Sequence, residues 1–202
     1  MTLSRSIAAT LAATALFLGI LSIAEKPGPN RGSYTSKRNP VQHSWAQHLE
    51  KPGLNNFARV SNDLYRGAQP SPEGFGVLKA LGIKTDINLR DLHSDGEKLD
   101  GAGITYEHIH FKTWHPEDED VVRFLKIVTD KTQGPFFVHC KHGSDRTGMM
   151  CAIYRVAVEG WTKDEAIEEM TGGGFGFHPL WQNLIRYIRD LDIQTIKKEA
   201  GI

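Results

Sequence analysis

The feature that most constrains this chain is an apolar run that ends in Cys140 and is followed, after five residues, by Arg146. Residues 135–138 have the composition of a buried strand, and residues 147–154 have the pattern of the first turns of a helix. The loop between them is therefore predicted to lie at the carboxyl end of a strand and at the N-terminus of a helix. Strands and helices joined in this way are typical of an α/β fold.

A loop in this position is suited to binding an anion. The first amide groups of a helix have no partner within the helix, and the helix dipole adds partial positive charge. The same field favours the thiolate form of Cys140, because a free cysteine titrates near pH ~8.5 and a helix N-terminus lowers that value. The spacing lets the planar guanidinium of Arg146 return to the loop and hold two phosphate oxygens. The run therefore predicts attack on phosphorus by a thiolate.

The remaining composition points to no other chemistry. The chain has two cysteines, which give no disulfide framework, and Cys151 falls inside the predicted helix and is interpreted as a packing residue. Its 24 lysine and arginine residues balance 24 aspartate and glutamate residues, so no nucleic-acid partner is predicted. The reaction predicted for Cys140 needs neither a metal nor a cofactor, and none is predicted.

Two segments resemble one known family. The sequence His139-Cys140-x5-Arg146-Thr147-Gly148 resembles the signature loop of cysteine-dependent protein tyrosine and dual-specificity phosphatases. Residues 64–70, followed by a helix and then by residues 82–90, resemble the N-terminal half of the compact atypical members found in bacteria, plants and fungi. The resemblance spans about residues 54–192 and implies hydrolysis of phosphomonoesters through a cysteinyl-phosphate intermediate.

The resemblance implies roles for residues of the signature loop. Cys140 would be the nucleophile, Arg146 the phosphate clamp, and Thr147 the hydroxyl that helps the thiolate to leave in the second step. His139 would orient the loop and tune the thiolate. The alternatives are a backbone hydrogen bond for His139 and a helix cap for Thr147. The residues implied to bind the substrate are Lys141, His142, Gly143, Ser144, Asp145 and Arg146.

Two positions compete for the role of general acid. Many relatives place an aspartate on a mobile loop before the next helix, where this chain has Lys112. That loop offers other groups instead: His115, Glu117 and Asp118. The signature loop itself ends in Asp-Arg-Thr-Gly, which resembles the ending found in myotubularin-type and bacterial lipid-phosphatase-like enzymes. By that resemblance Asp145 is the first choice for the acid, and Asp118 is the alternative.

The resemblance implies a phosphorylated protein as the substrate, with a phospholipid or an inositol phosphate as the alternative. Bacterial relatives carry Lys-Asp where this chain has Ser144-Asp145, and the missing lysine weakens the case for phosphoinositides. Lys141 and His142 are the loop residues that would meet a second phosphate. Two other classes stay open: a phosphate-binding pseudophosphatase with weak turnover, and a rhodanese-like sulfurtransferase, which the five-residue spacing disfavours.

The fold is predicted as α/β, a single phosphatase domain over residues 54–195 with a central four- to five-stranded, mostly parallel sheet flanked by helices on both faces. Asp86 is unexpected in a strand that is covered on both faces. The predicted strands lie at residues 57–60, 64–66, 84–90, 104–111 and 135–139.

The N-terminal segment differs in composition from the rest of the chain. Residues 7–24 carry no charge and are rich in alanine and leucine, so residues 1–24 are predicted to be a signal peptide or an N-terminal membrane anchor. Residues 25–53, rich in proline, glycine, asparagine and serine, are predicted to be a flexible linker. The predicted location is membrane-anchored by a single N-terminal helix, or exported to the periplasm or cell exterior if the signal is cleaved. The membrane is thus a second predicted partner.

Overall fold

The computed structural model describes residues 43–99 and 103–202, and in them a six-stranded sheet is the central element. The strands are β1 (Gln47–His48), β2 (Ala58–Arg59), β3 (Leu64–Ala68), β4 (Thr85–Asn88), β5 (Thr105–His108) and β6 (Phe136–Cys140). The helices are α1 (Pro72–Ala80), α2 (Gly96–Leu99), α3 (Asp118–Thr129), α4 (Asp145–Val158), α5 (Lys163–Gly172), α6 (Gln182–Asp190) and α7 (Ile193–Ala200).

The sheet is mostly parallel, and its strand order places β6 near the centre. The order is β1-β2-β3-β6-β4-β5, in which β3, β6, β4 and β5 run parallel and β2 runs antiparallel to both of its neighbours, β1 and β3. Ala68 at the end of β3 pairs with Cys140, and Asn88 at the end of β4 pairs with His139. The loop that follows β6 therefore lies between the carboxyl ends of two neighbouring strands, where ligands bind in open α/β sheets.

Apolar clusters cover both faces of the sheet. Phe137 belongs to one cluster together with Phe75 and Leu78 of α1, whereas Phe136 and Val138 belong to the other, which includes residues of α3 to α7. Successive side chains of a strand point to opposite faces, so β6 anchors both layers. The predicted fold class is confirmed. The sheet has six strands instead of four or five, because β1 is two exposed residues with no strand pattern in the sequence.

The last part of the predicted linker is folded against the domain. His43 stacks on Trp161 with the ring centroids 4.7 Å apart, and β1 pairs with β2. Ala46 is buried, and its amide donates a hydrogen bond to the Glu169 carboxylate in α5. The flexible linker predicted for residues 25–53 is therefore wrong from residue 43 onward. Residues 25–42 lie outside the described residues.

The predicted location is also corrected. In residues 43–99 and 103–202, no helix has the length and the apolar composition that crossing a membrane requires. The prediction of a membrane-anchored or exported chain, with the membrane as a partner, is therefore withdrawn. The segment that prompted it, residues 1–24, lies outside the described residues.

A buried ion pair joins the helices that support the sheet. Arg155 of α4 donates from Nε and Nη2 to the two carboxylate oxygens of Glu169, at 2.8 and 2.7 Å. Its Nη1 donates to the Val60 carbonyl at 3.0 Å. Since Glu169 also accepts from Ala46, one carboxylate connects the N-terminal segment to α4 and α5.

Replacing Glu169 with alanine leaves the Arg155 charge buried without this partner, which costs about 3 kcal/mol. We therefore expect Glu169→Ala to lower the free energy of unfolding by that amount in urea denaturation. The neighbouring Glu168 is exposed on the same helix, so Glu168→Ala is the matched control and is expected to change the value by less than about 0.5 kcal/mol. Equal stabilities for the two variants would contradict the structural role of the pair.

Candidate active site

The candidate site is the loop between β6 and α4. Cys140 is the last residue of β6, and α4 begins at Asp145 after the N-cap residue Ser144. The Cys140 side chain is buried under the loop. The loop thus follows a buried strand and precedes a helix, as its sequence predicts.

The carbonyl groups of the loop are hydrogen-bonded on its outer side. The Gln69 amide donates to the Lys141 carbonyl at 3.4 Å, and Asn56 Nδ2 donates to the His142 carbonyl at 3.0 Å. Asn56 also donates to the Phe175 carbonyl at 2.9 Å, which fixes its own orientation. Asn56 precedes β2, and Gln69 follows β3. The segments that flank these two strands therefore hold the loop.

The next carbonyl, of Gly143, accepts from Nη2 of the buried Arg66 at 2.7 Å. In a trans peptide the N–H group points away from the C=O group of the same unit. Three successive carbonyls held outward therefore direct the amides of His142, Gly143 and Ser144 inward, towards Cys140. The loop is a concave set of donors of the kind that binds a phosphate dianion.

Gly143 is required by this conformation. Its φ of +73° lies in the left-handed region, and a Cβ atom there would be 2.5 Å from the carbonyl carbon of Gly67 in β3. Only glycine combines this φ with so close a backbone approach. The contact brings the loop directly onto β3.

The environment of Cys140 favours its thiolate. Burial by itself raises the pKa of the thiol, but the Thr147 hydroxyl, the Arg146 charge and the amides of Thr147 and His142 outweigh it and lower the pKa below the ordinary value. Cys151 is the opposite case, since burial in α4 raises its pKa to about 11. The pKa values of the two thiols are therefore shifted in opposite directions.

His139 lies behind the loop in a buried polar cluster. Its Nε2 is 3.4 Å from Oδ2 of Asp86 and 3.8 Å from Oδ2 of Asp95. Burial by itself lowers the pKa of His139, whereas the charge and hydrogen bond of Asp86 and the charge of Asp95 raise it, and the net shift is upward. This pairing accounts for Asp86, the carboxylate that was unexpected in a covered strand.

Two grooves meet at Arg146, whose Nη1 donates to the Leu89 carbonyl at 3.2 Å. The first, the α6-side groove, has a volume of about 320 Å³, and the second, the β4-side groove, about 360 Å³. The α6-side groove is lined by Thr113, His142, Asp145, Arg146, His178, Leu180 and Trp181. The β4-side groove is lined by Arg90, Asp91, Leu92, His93, Trp114, Lys141 and Arg146.

The two predicted acids lie in different surroundings. Asp145 is buried in the wall of the α6-side groove, where it accepts from the His178 amide at 2.8 Å and lies 2.9 Å from the His178 ring. Asp118 is exposed at the first position of α3, where it accepts a hydrogen bond from the Tyr187 hydroxyl, and it lines neither groove. The structure thus brings Asp145 to the loop and leaves Asp118 outside it.

The sequence predictions missed Asn56, Arg66 and His178. Arg66 carried a signal, because a charged residue in a predicted strand needs a specific partner if it is buried. Asn56 and His178 carried none, since their contacts join segments far apart in the chain. Among the described residues, no group of three or more histidine, cysteine, aspartate or glutamate side chains is arranged to hold a metal ion.

Comparison with known proteins agrees with this geometry. A model of the tyrosine phosphatase family matches residues 53–200. The dual specificity protein phosphatase TpbA of Pseudomonas aeruginosa is 32% identical over 172 residues, which cover 84% of this chain and 76% of TpbA. The inositol diphosphatase DSP5 of Arabidopsis thaliana is 30% identical over 154 residues, covering 71% and 72% of the two chains.

Solved structures give the same result. The crystal structure of P. aeruginosa TpbA matches with a TM-score of 0.70 at 31% identity and covers 82% of this chain and 99% of that one. A TpbA variant in complex with phosphotyrosine matches with a TM-score of 0.69 at 30% identity, covering 81% and 98%.

The lowered pKa of Cys140 predicts selective alkylation. We expect iodoacetamide to modify Cys140 with a half-maximal rate below pH ~8.5, because the thiolate is the reacting form, and to leave Cys151 unmodified. Peptide mass spectrometry over a pH series measures both residues in one sample. Thr147→Val, which removes the hydroxyl beside the sulfur, is expected to move the midpoint upward. Equal modification of the two cysteines would contradict the assignment.

Proposed function

We propose a substrate class and a reaction path for this chain, which belongs to the tyrosine phosphatase family and is a hydrolase of the tyrosine and dual-specificity phosphatase type. Its proposed substrates are phosphorylated proteins, and its proposed intermediate is a cysteinyl-phosphate on Cys140. The relative TpbA is a dual specificity protein phosphatase and has a structure in complex with phosphotyrosine, which supports the proposed substrates. The proposed intermediate is supported by the position of Cys140 beneath the loop and by its lowered pKa.

In the first step the Cys140 thiolate attacks phosphorus. The S–P bond forms, the P–O bond to the substrate breaks, and a carboxylic acid gives its proton to the leaving oxygen. The loop amides and Arg146 hold the three remaining oxygens as charge develops on them. In the second step water attacks phosphorus, the carboxylate takes a proton from that water, and the S–P bond breaks to release inorganic phosphate. The Thr147 hydroxyl stabilises the departing thiolate.

We assign the acid to Asp145. It is buried beside Arg146 in the α6-side groove, which is where a leaving group would extend from the bound phosphate. His178 contacts both of its oxygens and holds the carboxyl group in place. Asp118 stays the alternative. It would act as the acid only if the start of α3 moved towards the substrate.

The observation that favours a protein substrate is the apolar rim of the two grooves. Leu92 and Trp114 on the β4 side are 96% and 65% exposed, and Leu180 on the α6 side is 81% exposed. Large apolar side chains clustered around a binding site are typical of sites that contact a protein. A phosphorylated segment presents neighbouring side chains to such a rim, whereas a free inositol phosphate has no apolar group to place there.

An inositol phosphate is the second candidate substrate, and the β4-side groove is the observation that favours it. Arg90 and Lys141 line this groove together with Arg146, so a second anionic group beside the reacting phosphate would meet positive charge. The relative DSP5 is an inositol diphosphatase.

Phosphate release from a panel of substrates tests the proposal. We expect turnover of phosphotyrosine and phosphoserine peptides by the protein, and turnover at the uncatalysed level in Cys140→Ser, because serine is a far poorer nucleophile at this position. Turnover of phosphoinositides or inositol phosphates alone would replace the proposed substrate with the second candidate. Turnover no higher than that of Cys140→Ser on every substrate would indicate a phosphate-binding protein instead.

Surface variants separate the two substrate classes further. Leu92→Ser and Leu180→Ser are expected to raise KM for phosphopeptides about tenfold, since each removes apolar contact worth about 1.5 kcal/mol. Lys141→Ala is expected to weaken inositol phosphates more than phosphopeptides, because it removes a charge from the β4-side groove. The opposite pattern of KM changes would contradict the assignment of the rim to protein substrates.

The pH dependence of kcat identifies the acid. We expect Asp145→Asn to lower kcat about 10²-fold and to abolish the fall of kcat on the basic side, because that fall reports loss of the acid's proton. Asp118→Asn is the matched control and is expected to keep the basic-side fall. If Asp118→Asn loses it and Asp145→Asn keeps it, Asp118 is the acid.

A further inference from the structure

Arg66 is a buried cation directly beneath the catalytic loop. It lies in the middle of β3, is 1% exposed, and its guanidinium stacks on the Phe175 ring at 3.7 Å from the centroid. Its Nη2 donates to the Gly143 carbonyl, and its Nε has no hydrogen-bond partner among the described residues. The hydrogen bond to Gly143 accounts for one donor of Arg66 but not for its buried charge.

No carboxylate of the described residues lies within ion-pair distance of Arg66. The charged or titratable groups that face it are Cys140, Cys151, Glu169 and Arg155. Glu169 and Glu159 are both bound to Arg155, at 2.6 to 2.8 Å, so each of these carboxylates contacts Arg155 and not Arg66. Cys151 has a pKa of about 11 and is neutral near pH 7. This leaves Cys140, and any anion that the loop holds, as the available counter-charge.

Burying an uncompensated guanidinium is costly, and it is tolerated where an anion is nearby. We infer that Arg66 is a positioning residue whose buried charge is balanced by the anion of the catalytic loop: the Cys140 thiolate in the free protein and the phosphate dianion in the complex. Arg66 touches neither the sulfur nor the substrate in this arrangement. It acts through the Gly143 peptide and through its field.

This inference rests on the proposed function only in taking Cys140 as the reacting thiol. Three variants of the full-length chain separate the charge of Arg66 from its hydrogen bond. Arg66→Lys keeps the charge, Arg66→Gln keeps a donor for the Gly143 carbonyl but loses the charge, and Arg66→Met loses both. Arg59→Met removes an exposed arginine from the neighbouring strand β2 and controls for net charge.

The readouts are the pH midpoint of iodoacetamide alkylation at Cys140 and the Kd of inorganic phosphate. We expect Arg66→Gln and Arg66→Met to raise the midpoint by about one pH unit and to weaken phosphate about tenfold, with Arg66→Lys and Arg59→Met close to the parent protein. A normal midpoint in Arg66→Gln with a raised one in Arg66→Met would show a hydrogen-bonding role only and overturn the inference. Equal shifts in Arg66→Lys and Arg66→Gln would overturn it as well.

Neither readout needs turnover, so both apply even if no substrate of the panel is hydrolysed. Thermal unfolding of each variant shows whether it is folded. Should Arg66→Met not fold, the comparison of Arg66→Gln with Arg66→Lys decides the question, because these two differ in charge while both can donate a hydrogen bond.

Discussion

The site depends on the outward direction of three carbonyl groups. Each is held by a donor from residues 56–69: the Asn56 side chain before β2, the Arg66 guanidinium in β3 and the Gln69 amide after β3. Turning any one of these peptide units over would replace an inward N–H group with an inward carbonyl, and the loop would then repel a phosphate. Anion binding is therefore a property of the sheet that supports the loop as much as of the loop's own sequence.

Buried charge is arranged in layers behind this loop. His139 lies 3.4 Å from the Asp86 carboxylate, and Arg155 is paired with Glu169, so each of these side chains has a carboxylate partner. Arg66 contacts the loop through the Gly143 carbonyl and has no carboxylate within ion-pair distance among the described residues. Since charge inside a protein is screened less than at its surface, such an arrangement makes the potential at the loop positive. The lowered pKa of Cys140 is consistent with that potential.

The strand, loop and helix around Cys140 could be predicted because their signals are local: an apolar run, a glycine and a helical pattern. Ser71 caps the N-terminus of α1, and Thr162 and Glu165 form a capping box at the start of α5; such caps are local signals too, because their residues lie within one turn of each other. Strand β1 and the contacts of His178 could not be predicted, because they depend on partners ten or more residues away in the chain. Leu180 lies four residues before Leu184, which is the spacing of one helix face, but it precedes α6 and is exposed, so periodicity alone does not give its position.

The two grooves share one wall, and that wall is Arg146. A compound with a phosphate mimic at Arg146 and one arm in each groove would bind through both arms at once. Binding of the first arm holds the second arm at a high effective concentration. The affinity of the linked compound would therefore exceed that of either half by about 10²- to 10⁴-fold. The combination of groups in the walls, cationic and aromatic on the β4 side and imidazole and indole on the α6 side, gives such a two-armed ligand a basis for distinguishing this chain from relatives that share only the signature loop.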